Sequence, residues 1–160
     1  MKSGEKMKKI VLVTFLSVLL DQVVKMIVSY NLNLGESITI INNFFNITCA
    51  HNIGAAWSIL SGGRIILILL GLIALDVIYF MLIYKKDLKN KEKILYGLLI
   101  GGILGNLIDR IIYGYVIDYF DFKIFGYNFP IFNIADILIV ITVIIIIIFS
   151  LKEKYGNSSK

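Results

Sequence analysis

Two aspartates, Asp118 and Asp136, lie at the edges of apolar stretches, where a carboxylate is costly to keep. Asp118 follows the short segment 114–117, and Asp136 opens a run that continues as nearly pure isoleucine. An ionisable side chain beside hydrocarbon is expensive, so its retention indicates a function. Two carboxyl groups that meet can share one proton, and such a pair can activate a water molecule.

The composition indicates a membrane protein. The chain has 160 residues, of which 58% are hydrophobic and only 17% are charged, and its mean hydropathy is +0.85. Soluble domains contain about a quarter charged residues. The net charge of +5 falls in short clusters between apolar runs, a pattern typical of membrane topology rather than of nucleic-acid binding. We therefore expect no nucleic-acid partner.

The inventory of metal ligands is small. Cys49 is the single cysteine, which excludes an intrachain disulfide and makes a site with several thiolate ligands implausible. His51 is the single histidine, so the chain has no histidine-rich cluster. We expect neither a metal ion nor a cofactor.

Four segments are long and apolar enough to cross a bilayer, at about residues 9–29, 64–84, 94–113 and 132–151. Each is close to the roughly 20 residues that a hydrocarbon core of ~30 Å requires. Their backbones should be helical, because hydrocarbon offers no partner to an unpaired amide. We predict an all-α integral membrane protein whose residues 1–160 form a single membrane domain.

Most of the basic residues are lysines that fall on one side of the membrane if four helices span it. They precede the first helix, separate the second from the third, and follow the fourth: Lys2, Lys6, Lys8 and Lys9; Lys85, Lys86, Lys89, Lys91 and Lys93; Lys152, Lys154 and Lys160. Loops rich in Lys and Arg stay in the cytoplasm. Both termini are therefore expected inside, with outer connections at about 30–63 and 114–131.

The two outer connections carry signals of their own. Residues 36–48 alternate between apolar and polar types, as short strands do, and residues 119–129 hold several aromatic side chains around Gly126. Aromatic residues suit the level of the lipid headgroups. We expect a small extracytoplasmic β element on the outer surface of the bilayer.

Polar residues of three predicted helices converge just below the outer surface. They lie in the outer half of the first helix, the last turns of the third and the first turns of the fourth: Asp21 and Lys25; Asn106, Asp109 and Arg110; Asn133 and Asp136. One interpretation is that these groups only bond helix to helix, as in other membrane bundles. For Asp118 and Asp136 the nearby candidate cations are Lys123 and Arg110. Asp76, near the middle of the second helix, has no explanation in this pattern.

Five sequence blocks resemble, in order and spacing, the motifs of bacterial lipoprotein signal peptidase (signal peptidase II). They are Asp21–Lys25, Asn52–Trp57, Gly101–Arg110, Gly114–Phe120 and Phe129–Asp136. Trp57 and Tyr119 stand where that family usually has phenylalanine. Each block is weak alone, whereas five in register are a specific signal.

The resemblance implies a four-helix membrane aspartyl endopeptidase with an outer β-cradle and a short interfacial segment. Such an enzyme removes signal peptides from diacylglyceryl-modified prolipoproteins by cutting before the lipidated cysteine. The family's catalytic aspartates correspond to Asp118 and Asp136. Residues expected to bind the substrate are Asn52, Gly54, Arg110 and Asn133, and residues expected to support the site are Asp21, Lys25, Asn106 and Asp109.

The resemblance also implies partners and a location. We expect prolipoprotein substrates, contacts with membrane lipids, inhibition by globomycin-type peptides, and a monomer in the bacterial cell membrane with its active site toward the outer face. The alternative is a small proton- or ion-coupled transporter that uses intramembrane carboxylates. A transporter needs polar groups along a path across the membrane, whereas here they gather at one end. Because the dipole of the fourth helix favours negative charge at its start, Asp136 is expected to be the ionised member of the pair.

Overall fold

Four helices and a four-stranded sheet make up the part of the chain that the computed structural model describes, residues 3–55, 59–85 and 88–156. Among the motif residues, Ala56 and Trp57 lie outside the described residues. So do three of the lysines used to orient the chain, Lys2, Lys86 and Lys160, and the side chains of residues 3–6 and 153–156.

The helices are α1 (Ser3–Asn31), α2 (Arg64–Tyr84), α3 (Asn90–Ile112) and α4 (Ile134–Gly156). All four are long and apolar enough to cross a membrane, which confirms the predicted class. α2 has the predicted bounds, while α1, α3 and α4 extend further at their lysine-rich ends. Lysine is a good helix former, so a helix does not stop where hydrophobicity stops. At the start of α3, Glu92 accepts a hydrogen bond from the backbone N–H of Lys89 at 2.7 Å.

Glycines bring α1 and α4 onto α3. A Cβ atom added at Gly101 would lie 2.4 Å from Cβ of Ser17 in α1, and one added at Gly102 would lie 2.7 Å from the carbonyl oxygen of Ala135 in α4. Distances this short leave no room for any side chain. The small residues of α3 therefore form a packing surface, as small residues in membrane helices commonly do. α2 packs mainly on α3.

The strands form one antiparallel sheet in the order β1-β2-β3-β4. They are β1 (Ser37–Ile41), β2 (Phe45–Asn52), β3 (Val116–Ile124) and β4 (Tyr127–Asn128). The predicted β element is confirmed. β3 begins three residues before the predicted aromatic stretch, so Asp118 lies in a strand, opposite Ala50 of β2. Stacking between Phe45 and Phe122, with ring centroids 4.5 Å apart, stabilises this pairing.

Replacing Gly102 by alanine is expected to destabilise the helix bundle. The new methyl group would lie 2.7 Å from the Ala135 carbonyl oxygen, a backbone atom that cannot rotate away, and overpacking costs about 1–3 kcal/mol. Gly71→Ala is the matched control, since its methyl group would meet only the flexible end of Leu107, at 3.3 Å. Thermal unfolding in detergent should give a lower Tm for Gly102→Ala alone. Equal Tm values for the two variants would contradict the packing described.

Candidate active site

A buried cation, Lys25, lies where α1 meets α3. Its Nζ is 2.8 Å from Oδ2 of Asp21, one turn earlier in α1, and 2.8 Å from Oδ2 of Asp109 in α3. It also donates a hydrogen bond to Oδ1 of Asn106 at 3.0 Å. All four side chains are buried. A buried ion pair needs close geometry of this kind, because each charge loses its hydration.

The two carboxylates that neutralise Lys25 also hold two other elements. Asp21 Oδ1 accepts the backbone N–H of Ala135 in α4 at 3.1 Å, and Asp109 Oδ2 accepts the N–H of Ile117 in β3 at 3.2 Å. A Cβ atom on Gly105 would lie 2.5 Å from Oδ2 of Asp21, so this glycine lets the carboxylate lie against α3. The cluster therefore fixes the start of α4 and the start of β3.

Asn133 and Asp136 form a capping box at the start of α4. Asp136 N–H donates to Oδ1 of Asn133 at 3.0 Å, and Asn133 N–H donates to Oδ2 of Asp136 at 3.2 Å. This reciprocal pair satisfies N–H groups that have no partner within the helix. The other oxygen of Asp136, Oδ1, accepts a hydrogen bond from Nδ2 of Asn106 at 2.7 Å. Asp136 is thus held by α3 and by its own helix end.

Asp118 is almost fully buried in β3 and accepts two side-chain amides. Asn133 Nδ2 donates to its Oδ1 at 2.7 Å, and Asn52 Nδ2 donates to its Oδ2 at 2.9 Å. Burial, followed by the negative charge of Asp136, raises the pKa of Asp118 to about 7. The two amide donors act in the opposite direction, because they favour the ionised carboxylate. Asn133 therefore contacts both aspartates.

Arg110 connects the end of α3 to the loop that follows β2. Its Nη2 donates to the carbonyl oxygen of Gly54 at 3.0 Å, and the Gly54 N–H donates to Oδ1 of Asn52 at 2.9 Å. The Nε of Arg110 is buried and has no acceptor among the described residues. An unpaired buried donor beside a cavity is available to an incoming carbonyl group.

A cavity of about 580 Å³ opens beside these groups. Asp118, Asp136, Asn52, Asn106 and Arg110 supply polar groups to its wall. The rest is largely apolar and comes from α2, α3, α4 and residues 129–132. A few convergent polar groups in an apolar cleft are typical of a ligand site.

The structure places two of the expected substrate-binding residues away from the cavity wall and adds two contacts to the site. Asn133 and Gly54, both expected to bind substrate, are buried and do not line the cavity, and the amide of Asn133 donates to Asp118. Gln22 donates to Oδ1 of Asp109 at 2.9 Å, and the Tyr119 hydroxyl accepts the N–H of Ile134 at 3.2 Å. The partners in these contacts are distant in sequence, so no local pattern indicates them.

Two charged residues stand apart from the cluster. Lys123, considered as a cation for the aspartate pair, is exposed on β3, whereas Arg110 lies beside the pair. Asp76 is exposed on α2 and does not line the cavity. Within residues 3–55, 59–85 and 88–156, no group of three or more His, Cys, Asp or Glu side chains is arranged to hold a metal ion.

Comparison with known proteins decides the family. A sequence profile described as signal peptidase (SPase) II matches residues 13–152. The chain belongs to the signal peptidase II family. A lipoprotein signal peptidase of Staphylococcus aureus (strain JH9) is 41% identical over 150 residues, which cover 94% of this chain and 92% of that protein.

Solved structures agree with the assignment to signal peptidase II. A bacterial membrane enzyme structure obtained by the in meso method at 2.3 Å resolution matches with a TM-score of 0.86 and 39% identity, covering 99% of this chain and 94% of the other. A second, at 1.9 Å resolution, matches with a TM-score of 0.80 and 40% identity, covering 94% of both chains. The chain is a multi-pass membrane protein.

Membership of the signal peptidase II family identifies the activity of the chain. The chain is a protease, of the aspartic type in this family, that removes signal peptides from prolipoproteins. The alternative of a small transporter is not favoured, since family, coverage and fold all agree on the peptidase.

Lys25→Met should destabilise the protein strongly, because it leaves Asp21 and Asp109 as buried carboxylates without a cation. Breaking a buried pair in this way costs about 3–5 kcal/mol. The comparison variant is Lys85→Met: the Lys85 side chain, paired with Glu92, is 38% exposed, so its ammonium keeps part of its hydration and its loss should cost less than that of Lys25. Thermal unfolding in detergent measures both. A Tm for Lys25→Met as high as that of the control would refute the role given to Lys25.

Proposed function

We propose that Asp118 and Asp136 are the catalytic pair of this signal peptidase II. The observation that carries the proposal is their shared placement: both line the cavity, and Asn133 holds both. Each carboxyl group accepts two hydrogen bonds from the protein, so its orientation is fixed before substrate arrives. Fixed acid and base groups beside an apolar cleft are what amide hydrolysis requires.

The proton of the pair belongs to Asp118 in this proposal. Its pKa of about 7 keeps a large fraction protonated at neutral pH. Asp136 lies in the first turn of α4 and accepts a backbone N–H in the capping box, where the helix dipole favours negative charge. Ionised Asp136 then takes a proton from the attacking water, while Asp118 donates a hydrogen bond to the developing oxyanion.

The substrate in this proposal is a prolipoprotein that already carries a diacylglyceryl group, and the bond cut is the one before the lipidated cysteine. The apolar wall of the cavity suits acyl chains or small apolar residues of a signal peptide. Asn52, Gly54 and Arg110 hold the peptide backbone, and the unpaired Nε of Arg110 supports this assignment. Asn133, Asp21, Lys25, Asn106 and Asp109 position the catalytic pair.

The location follows the lysine pattern. We place both termini in the cytoplasm and the cavity toward the outer face of the bacterial cell membrane, in contact with membrane lipids. In this orientation the scissile bond of a lipid-anchored substrate lies at the level of the aspartate pair. We further propose that the enzyme acts as a monomer, since one chain supplies every group of the site, and that globomycin-type peptides inhibit it by filling the cavity.

Asp118→Asn and Asp136→Asn should each lower cleavage by roughly a thousandfold or more, because neither amide can exchange the proton that the reaction moves. Asp121→Asn is the matched control on the same strand: Asp121 accepts a hydrogen bond from Thr48 at 2.9 Å and does not line the cavity. The assay is cleavage of a diacylglyceryl-modified signal peptide in detergent micelles. Normal cleavage by either Asp118→Asn or Asp136→Asn would contradict the proposal that the two aspartates are the catalytic pair.

We expect kcat/KM to decrease as the pH rises above neutral, which gives the pH profile a basic limb. Asp118 acts in its protonated form, so kcat/KM decreases about tenfold per pH unit above its pKa of about 7, and below that pKa it is retained as long as Asp136 stays ionised. Asn52→Ala removes a donor that favours the ionised form and should therefore move the basic limb to higher pH. A basic limb that Asn52→Ala leaves unmoved, or moves downward, would count against Asp118 as the acid.

A further inference from the structure

The C-terminal end of α3 carries carbonyl groups that its own helix cannot satisfy. Arg64, the first residue of α2, donates from Nε to the carbonyl oxygen of Arg110 at 2.7 Å and from Nη2 to that of Ile111 at 2.8 Å. A planar guanidinium can bridge two carbonyl groups, and its charge suits the negative end of a helix. Gly114, with φ +88°, has no side chain that would displace the Arg64 guanidinium: a Cβ atom there would lie 3.3 Å from Nη1 of Arg64.

Arg110, whose carbonyl oxygen accepts a hydrogen bond from Arg64, also contacts the loop that follows β2. Arg110 Nη2 donates to Gly54, Gly54 N–H donates to Asn52, and Asn52 Nδ2 donates to Asp118, at 3.0, 2.9 and 2.9 Å. One continuous series of contacts therefore runs from the start of α2 to the carboxyl group.

The other groups around Asp118 have anchors of their own. The charged groups that face it are Asp136 from α4, Lys25 from α1 and Arg110 from α3. Asp136 is fixed by its capping box and Lys25 by two ion pairs. The backbone of Asn52 is paired with Val116 of β3, whereas its side chain is held by Gly54 in the loop 53–63, of which the structure describes residues 53–55 and 59–63. That loop ends at Arg64.

We propose that Arg64 is a positioning residue for the reaction. By fixing the end of α3 against the start of α2, it keeps Arg110 and Gly54 in place and so holds Asn52 on Asp118. Arg64 is exposed and does not line the cavity, so it acts through these residues and does not touch the substrate. This inference rests on the proposed function, in which Asp118 supplies the proton.

Arg64→Gln and Arg64→Lys test the role in the purified full-length enzyme with the diacylglyceryl-modified peptide. Arg64→Gln should lower kcat/KM roughly 10- to 100-fold, since small displacements of positioning groups have effects of this size. Arg64→Lys should lose less, because an ammonium keeps the charge but cannot bridge both carbonyl groups. In both variants the basic limb should move upward, by about half a pH unit in Arg64→Gln, because a weaker hydrogen bond from Asn52 disfavours ionised Asp118.

The control is Lys123→Gln, which removes an exposed positive charge from β3 and should keep the wild-type kcat/KM and pH profile. A purely structural cap would lower the Tm of the Arg64 variants and leave their basic limb unmoved, and this result would overturn the proposal. If Arg64→Gln does not fold, the pH profile of Arg64→Lys is the test: an upward shift of its basic limb supports the proposal, and an unmoved limb overturns it. Failure of the proposed function is a separate result: Asp118→Asn would then cleave normally, whatever the Arg64 variants do.

Discussion

A positive charge buried in an apolar bundle, that of Lys25, is the constraint on which the rest of this structure depends. Its hydration is lost, so carboxylates must surround it, and they come from α1 as Asp21 and from α3 as Asp109. Each of these carboxylates in turn accepts a backbone N–H, one from α4 and one from β3. Those two elements carry Asp136 and Asp118. The charge cluster thus brings the proposed catalytic pair to one place, although Lys25, Asp21 and Asp109 do not line the cavity.

The start of α4 shows how one set of contacts serves both folding and chemistry. The capping box between Asn133 and Asp136 satisfies helix N–H groups that would otherwise have no partner. The same Asn133 amide also holds Asp118. A change that loosened the helix end would therefore move both carboxyl groups, which is why stability and geometry are linked at this site.

Much of the fold is predictable from local patterns. Length and hydropathy identify the four spans, and alternation identifies the sheet, because both signals need only a short stretch of chain. Depth along each helix also predicts that Asp21, Lys25, Asn106 and Asp109 share one level. Helix ends were less predictable, since lysine continues α1 beyond its apolar stretch. Which motif residues are buried, Asn133 among them, was not predictable, because burial depends on neighbours that a motif does not show.

The sequence by itself determined the membrane class, the β element, the level at which polar groups gather and the family to which its motifs belong. Only the tertiary structure decided which donor each carboxylate meets. In the folded chain Asn106 donates a hydrogen bond to Asp136, Asn52 donates one to Asp118, and Arg64 donates to a carbonyl group at the end of α3. The physical reason is that a hydrogen bond depends on distance and direction, and residues 30 to 66 positions apart acquire these only when the helices and the sheet have packed.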